Sequence, residues 1–324
     1  MANLLLYSKT LARSSSASIL CRALRDRGHE VLRATPTTRP TDRAVGQMMD
    51  NGSGRIDVGL SYGVSALPRE YMLSSYVPDD TFWLNSPSAV GWNAHKVQMF
   101  ERLARSNIPH LDWTSNRAVA QDWLDYGEVV YARRLVQAHS GKGIRIVGRT
   151  LDPVPGKIQN VLPNCNLYTK AWPDNNTIWG RIREYRVYIS GEIAVGLTEK
   201  RRYGRERLAE AGIDRDCFYN RAVRTNANGW VFAHSDMRCS REQAAVIMGV
   251  GEVTANAMRL GVGAVDVIVS YTRDYTTLRD IRVIETNTSI SLRDAPTTTN
   301  LIVNGVHNFL QEWDEESEGD EAEW

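Results

Sequence analysis

Residues 129–147 read VVYARRLVQAHSGKGIRIV. The first part is a β-branched and aromatic run with strand-like alternation, HSGKG interrupts it with small residues, and IRIV resumes as alternating apolar and basic side chains. The spacing predicts strand, glycine loop, strand. Gly141 and Gly143 flank Lys142 and free the backbone to approach a ligand with its N–H groups aimed at an anion. Arg133, Arg134, Lys142 and Arg145 make the surroundings positive, so phosphate is the natural guest. The same residues also suit an ordinary hairpin with solvated arginines, and the flanking sequence has to decide. The loop does not follow G-x-x-x-x-G-K-[ST], and the chain has no G-x-G-x-x-G.

Towards the N-terminus, NLLLYSK reads as a buried strand. SASILCRALRDRG reads as an amphipathic helix with Ser14 to Ser16 as caps and Gly28 as its stop. EVLRA and RIDVGLSYG supply further strands, so residues 1–85 are expected to form an α/β domain with a parallel sheet. TPTTRPTDRAVGQMMDNGSG, between those strands, is rich in turn formers and reads as a loop. Ser86 or Ser88 then caps a helix carrying Val97, Phe100 and Leu103 on one side, with Lys96 early on it, and Asn107-Ile108-Pro109 ends it. A short helix around Val119 to Leu124 leads into the glycine loop.

On the other side, NLYTKAWP is a short extended run with Lys170 near its end, suited to a linker between lobes. REYRVYISGEIAVGLTEKRRYG is the clearest hairpin in the chain. Period two sets Arg186 on the face opposite Tyr185 and Val187, and Lys200, Arg201 and Arg202 add cations on the returning strand. Arginine within a strand suits bidentate contact with phosphoryl oxygens. NRAVRTNANGWVFAH gives a turn and a strand with Arg224, Asn226 and Asn228 as polar candidates. A long helix follows, capped by Ser240 and stopped by Gly261 or Gly263. It delivers AVDVIVS and, after a turn, RVIETNTSISL. Asp266 and Glu285 therefore sit in apolar strands, with Asn287 two residues past Glu285 on the same face. Buried carboxylates need partners. Salt-bridged strand acids are one reading; oxygen ligands for a hard cation, Mg²⁺ before zinc, are the other.

In this order the pieces resemble the ATP-grasp superfamily over about residues 86–300, and residues 1–85 resemble the domain that precedes it in such enzymes. Within the superfamily, the flap RRLVQAHSGKGI, together with LYTK, EYRV, EKRR, NGWVF, AVDV and VIETN, is most similar to phage-encoded proteins. The resemblance implies an α/β protein with α+β lobes: a first domain (1–85), a central lobe with the flap (86–167) and a C-terminal lobe with a metal site (168–311), the two lobes clamping ATP and Mg²⁺. It implies Arg133, or Arg134 in its place, beside the α- and β-phosphates, and His139, Ser140, Gly141 and Gly143 as a lid over the triphosphate. Lys170 would lie on the adenine side, and Lys96 would be the lysine early in the central lobe. Arg186, Lys200, Arg202 and Asn228 would address the γ-phosphate or an acyl phosphate, and Asp266, Glu285 and Asn287 would hold magnesium. The implied activity is ATP-dependent ligation of a small-molecule or peptide carboxylate to an amine through an acyl phosphate. After VIETN the family commonly continues with proline or glycine; here TSISLRD follows, which leaves the substrate-side loop open.

Composition narrows the remaining choices. Thirty-nine Lys and Arg against 38 Asp and Glu leave almost no net charge, but EWDEESEGDEAEW (312–324) is almost wholly acidic, so the body is basic. That tail is expected to be disordered. Four cysteines without C-x-x-C spacing indicate neither a zinc site nor a disulfide framework. No apolar run is long enough to cross a bilayer and MANLLLYSKTLAR lacks a cleavage site, so a cytoplasmic protein is expected, in the host cytoplasm if phage-encoded. A basic body, nine tryptophans and strands with arginine beside tyrosine also suit a single-stranded nucleic-acid platform, one competing reading; another keeps the resemblance but leaves a non-catalytic ATP-binding module. Pairing of copies is open.

Overall fold

The computed structural model describes residues 3–9, 12–35, 56–64, 77, 81–137, 142–149, 151, 153–172, 181–293 and 295–321, with side chains as far as residue 315. The loop expected over residues 35–54 lies almost wholly outside the described residues.

The first lobe is built from β1 (Asn3–Ser8), α1 (Ser16–Arg25), β2 (Glu30–Ala34), β3 (Val58–Tyr62) and β4 (Phe82–Asn85), in an all-parallel sheet of order β2-β1-β3-β4. NLLLYS is apolar without alternation because both faces are covered, as parallel sheets require. Leu4 and Leu6 pack with Leu20 and Leu24 of α1, while Leu5 and Tyr7 pack with Leu32, Ile56 and Val64 on the other side. Ser15 caps α1 by accepting from Ser18 N, and Gly28, at φ +91°, turns the chain into β2.

The single helix expected after Ser86 is two helices, α2 (Pro87–Ala94) and α3 (Lys96–Arg105). His95 takes extended φ and ψ between them, and its Nδ1 accepts from Gln98 N. The break makes Lys96 the first residue of α3, with its N–H donated to Val136 O at 3.0 Å, near the end of the described glycine-loop approach.

The middle sheet has the order β5-β9-β6-β7-β8, from β5 (Trp113–Thr114), β6 (Val130–Arg133), β7 (Ile144–Val147), β8 (Ile158–Gln159) and β9 (Leu167–Lys170). α4 (Arg117–Asp125) covers one face through Ala120 and Leu124. β6 and β7 pair antiparallel, Val130 with Val147 and Arg133 with Ile144, as the opening stretch requires. Residues 138–141, the tip of that loop, lie outside the described residues. β9 hydrogen-bonds to β5 and β6, so Tyr168 to Lys170 belong with the middle lobe, and the boundary expected after residue 167 moves past Lys170.

The last lobe carries the antiparallel sheet β12-β11-β10-β13-β14. Its strands are β10 (Ile182–Ser190), β11 (Ile193–Arg202), β12 (Trp230–Ala233), β13 (Val262–Tyr271) and β14 (Leu278–Asn287), with α5 (Arg205–Glu210), α6 (Phe218–Ala222), α7 (Arg241–Met258) and α8 (Pro296–Glu321). Tyr185, Val187 and Ile189 point to α7, where they meet Ile247, Ala255 and Met258. Each such apolar side chain contributes about 1.5–3 kcal/mol when fully buried. α7 begins at a capping box, Ser240 with Gln243, and ends at Arg259 in the left-handed region. The glycines expected to stop it serve another purpose. Gly261 donates its N–H to Leu84 O at 2.8 Å and comes so close that a Cβ would overlap that oxygen. Asn85 completes the seam: its Nδ2 donates to Val262 O at 2.6 Å and its Oδ1 accepts from Val262 N at 3.1 Å.

The acidic end also departs from expectation, for α8 remains helical to Glu321. Glutamate is a good helix former, and the helix is pinned upstream by Ile302, Val306 and Leu310 in the first-lobe core and by Trp313 against Phe82, ring centroids 4.9 Å apart. No described helix is long and apolar enough to cross a membrane.

Candidate active site

Strand register sets the site. Across the last sheet, Thr198, Arg186, Asp266 and Glu285 form one row, and Phe232, Lys200, Glu184, Ile268 and Arg282 form the next. Arg186 and Glu184 share a face because they are two apart, and the face away from α7 is the charged one. The rows are about 4.8 Å from strand to strand, so every acid has a cation within reach. Arg186 grips Asp266 with both ends of its fork, Nε to Oδ1 at 2.7 Å and Nη2 to Oδ2 at 2.8 Å. Asn287 Nδ2 adds a bond to Asp266 Oδ2 at 3.3 Å. Lys96 reaches over from α3 to Glu285 Oε1 at 2.8 Å, and Lys200 pairs with Glu184. The Phe232 ring lies under both cations, 4.1 Å from the Arg186 guanidinium and 5.1 Å from Lys200 Nζ.

Apart from Lys96, Thr198 and Arg282, these groups line a cavity of about 810 Å³ whose opposite wall is the middle sheet, through Tyr131, Arg133, Ile144, Thr169 and Lys170. One end is apolar, with Leu111, Trp172, Ile268 and Ile284. The other holds the charges. Burial works against ionised acids here, but Arg186, Lys200 and Lys96 outweigh it at Asp266 and hold its carboxyl below the usual range. Burial likewise opposes ionised Glu285, and Lys96, with Arg133 adding to it, brings the net shift down although Asp266 repels. Burial lowers Arg133, opposed by Glu285, and its Nε is buried without a hydrogen-bond partner. A donor left in that state is suited to an anion. Burial pushes the Tyr131 hydroxyl up to about 12.

The donor set bears on magnesium. Asp266 keeps lone-pair capacity beyond its bonds to Arg186 and Asn287, Glu285 Oε2 has no described hydrogen bond, and Asn287 contributes a carboxamide oxygen. These are hard oxygen donors, and two carboxylates beside a cavity lined by cations suit Mg²⁺, which is bound through one or two carboxylates and substrate phosphates. Among the described residues no group of three His, Cys, Asp or Glu converges, so a protein-only zinc cage is not formed by them.

No family model matches this sequence, and no curated protein does. Solved structures do. A RimK-domain ATP-grasp protein from Sphaerobacter thermophilus superposes with TM-score 0.52 at 14% identity, over 95% of this chain and 99% of that one. D-alanine–D-alanine ligase from Bacillus anthracis gives TM-score 0.53 at 12% identity, over 100% and 99%. The ATP-grasp ligase PsnB, solved with a minimal precursor, gives 0.57 at 15% identity, over 96% and 99%. The fold is ATP-grasp.

Within this ATP-grasp fold the sequence-derived residues separate. Arg133, Lys170, Arg186, Lys200, Asp266, Glu285 and Asn287 all line the cavity, and Lys96 joins it through Glu285. Lys170 is also paired with Glu128 at 2.6 Å. Arg134, offered as the alternative to Arg133, follows the end of β6, is exposed and does not line the cavity. Arg202 does not line the cavity either: its guanidinium donates to the carbonyls of Arg215 (2.8 Å) and Asp214 (3.4 Å). Asn228 is buried with its Nδ2 on Val223 O at 2.6 Å, where it shapes a 3₁₀ turn, and Asn226 lines the cavity instead. Gly143, at φ +78°, leads into Ile144; His139, Ser140 and Gly141 lie outside the described residues. Glu184, Phe232, Tyr131 and Trp172 were missed. Glu184 was within reach of the sequence, being two residues before Arg186 on the same strand. Tyr185 and Tyr188 are buried, so the arginine-bearing strand offers no exposed stacking platform of the kind single strands need. The narrower likeness to phage-encoded proteins finds no support among the matches named above.

Proposed function

We propose that the chain is an ATP-dependent ligase that joins a carboxylate to an amine through an acyl phosphate. The observation that carries it is the row Arg186–Asp266–Glu285, facing Arg133 across one cavity with Asn287 and Lys200 beside it. The apolar end by Trp172 and Ile284 suits a purine, and the volume is of ligand-pocket size. Arg133, Lys200 and Arg186 are the cations for the phosphates. Asp266, Glu285 and Asn287 would hold Mg²⁺, which when bound neutralises charge on the transferred phosphoryl group.

The substrate carboxylate oxygen attacks the γ-phosphorus, and the bond to the β,γ-bridging oxygen breaks with its electron pair on ADP. An amine then attacks the acyl carbon, the C–N bond forms, and phosphate leaves as the amine gives up a proton. The chain's own share is positioning and charge compensation rather than covalent chemistry. Arg186 has its pKa raised by Asp266 against the pull of burial, so it stays cationic throughout.

The test is thermal denaturation with ATP, ADP and a non-hydrolysable analogue, with and without Mg²⁺, followed by phosphate release over panels of acids and amines. A magnesium-dependent stabilisation by nucleotide is expected. A melting temperature indifferent to both would remove the reading.

A further inference from the structure

A second chamber of about 360 Å³ adjoins the first, and the two share Glu285, Asn287 and Ser289. Lys96 lines only the second. Its remaining walls come largely from the first lobe, through Ser8, Lys9, Ser15, Ser16, Tyr62 and Gly63. The walls are fixed by contacts between segments far apart in sequence. Tyr62 Oη donates to Ile290 O at 2.5 Å, and Leu292 N donates to Ser16 Oγ at 3.0 Å. Gly63, at φ +70°, allows the close approach, since a Cβ there would stand 2.7 Å from Ser289 Cβ.

The lining chemistry restricts the guest. Hydroxyls dominate, from Ser8, Ser15, Ser16, Thr288 and Ser289, and the apolar contribution is small, from Ala17, Val90 and Ala94. The one carboxylate in the lining, Glu285, is already paired with Lys96. Lys9 is exposed and forms no ion pair among the described residues, so the chamber's uncompensated charge is positive. Glu285, Asn287 and Ser289 line both chambers, so guests in the two would meet at these residues. In-line phosphoryl transfer needs attacking and leaving oxygens on opposite sides of phosphorus.

We propose that this chamber seats the acid that is activated, and that the acid is a small hydrophilic carboxylate of amino-acid or hydroxy-acid size, held at its anionic end by Lys9. The proposal rests on the ligase reading above. Its carboxylate oxygen forms the new bond to the γ-phosphorus while ADP leaves with the electron pair of the broken bond; nothing is oxidised or reduced.

The experiment uses the full chain with ATP, Mg²⁺ and hydroxylamine, which traps an acyl phosphate as a hydroxamate whatever the natural amine is. Glycine, L-aspartate, L-glutamate, glycolate and succinate are set against hexanoate and phenylacetate, and Lys9→Met and Ala94→Phe are compared with the parent. Hydroxamate from members of the first group is expected. The acid KM should rise about tenfold or more in both variants, roughly the value of one charge-assisted contact, with the Mg·ATP melting shift unchanged. Turnover confined to the apolar acids, turnover with none of the panel, or an acid KM unmoved in both variants, each alongside an intact nucleotide shift, overturns this assignment and leaves the ligase reading standing. Loss of the nucleotide shift in the parent protein overturns both.

Discussion

Asp266 and Glu285 stand directly opposite one another across β13 and β14, and each is held by a different cation, Asp266 by Arg186 and Glu285 by Lys96. Like charges opposite each other in a sheet repel. The two cations come from different elements, β10 and the start of α3, so the acid pair is ionised only where those elements meet.

Removing one acid therefore does two things. Asp266→Ala leaves the Arg186 guanidinium buried without its partner, a loss of about 3–5 kcal/mol, as well as removing an oxygen donor. Asp266→Asn keeps an acceptor for Arg186 and separates the effects. It is expected to melt much closer to the parent protein than Asp266→Ala does, and to lose magnesium-dependent ATP turnover. Parent-level turnover in Asp266→Asn would remove Asp266 from the metal site.

Lys200 and Arg202 lie two apart on β11 and look equivalent in sequence, yet only Lys200 lines the cavity. Lys200→Met is expected to lower phosphate release at least tenfold, an electrostatic contact of the size that phosphoryl transfer depends on. Arg202→Met is expected to keep turnover within a few-fold and to lower stability by about 1–2 kcal/mol through lost hydrogen bonds. Steady-state rates and urea melts of both variants decide it; a larger rate loss in Arg202→Met would reverse the assignment.

Counting along the chain made the strands and the faces their residues share legible, because strand periodicity is a local property. Arg186, Asp266 and Glu285 could be placed on faces by counting in twos, and pairing then made them neighbours. It failed where the outcome depends on what lies at the far end of a side chain. Arg202 is drawn away by carbonyls at 214 and 215, and Asn228 by Val223. No count of residues reveals those acceptors. The break at His95 was hidden for a related reason: nothing in AHKV demands it, and the first turn of α3 is fixed instead by contacts from Val136 and Glu285. The acidic end reads as disordered by composition, but Trp313 and Phe309 pack on Phe82 and carry the helix forward.

Glu199 offers a pH test away from the cavity. Its side chain is fully buried; burial raises its pKa, but Arg238, bonding from both its backbone N (3.0 Å) and its Nε (2.8 Å), and Arg201 bring it below the usual value. A depressed carboxyl stabilises the fold above its unfolded pKa and loses that contribution as pH falls through its folded pKa. Glu199→Gln keeps an acceptor for the arginines but loses the charge, and is expected to cost about 1.5–3 kcal/mol at neutral pH, the scale of hydrogen bonds to a charged group. The deficit should narrow as pH drops from about 4.5 downward. Chemical denaturation of both proteins from pH 7 to pH 3 measures it; a deficit constant over that range would show that ionised Glu199 is not what the arginines stabilise.

Two glycines one helix-end apart should respond to the same substitution with opposite signs. At Gly261 a methyl group would overlap Leu84 O, the atom that accepts the Gly261 N–H, so the seam between β4 and the start of β13 has to open. Gly261→Ala is expected to destabilise by about 1–3 kcal/mol, as overpacking does. Because Asp266 follows five residues later on β13, the nucleotide-dependent melting shift should weaken with it. At Gly249, inside α7, a Cβ meets nothing within 4 Å, and alanine is the better helix former by about 1 kcal/mol. Gly249→Ala should therefore raise the melting temperature and leave the nucleotide shift unchanged. If Gly261→Ala proved neutral, the close approach of the first lobe to β13 would not be a constraint on the fold, and the position of the acid-bearing strand would have to be set by α7 and β10 alone.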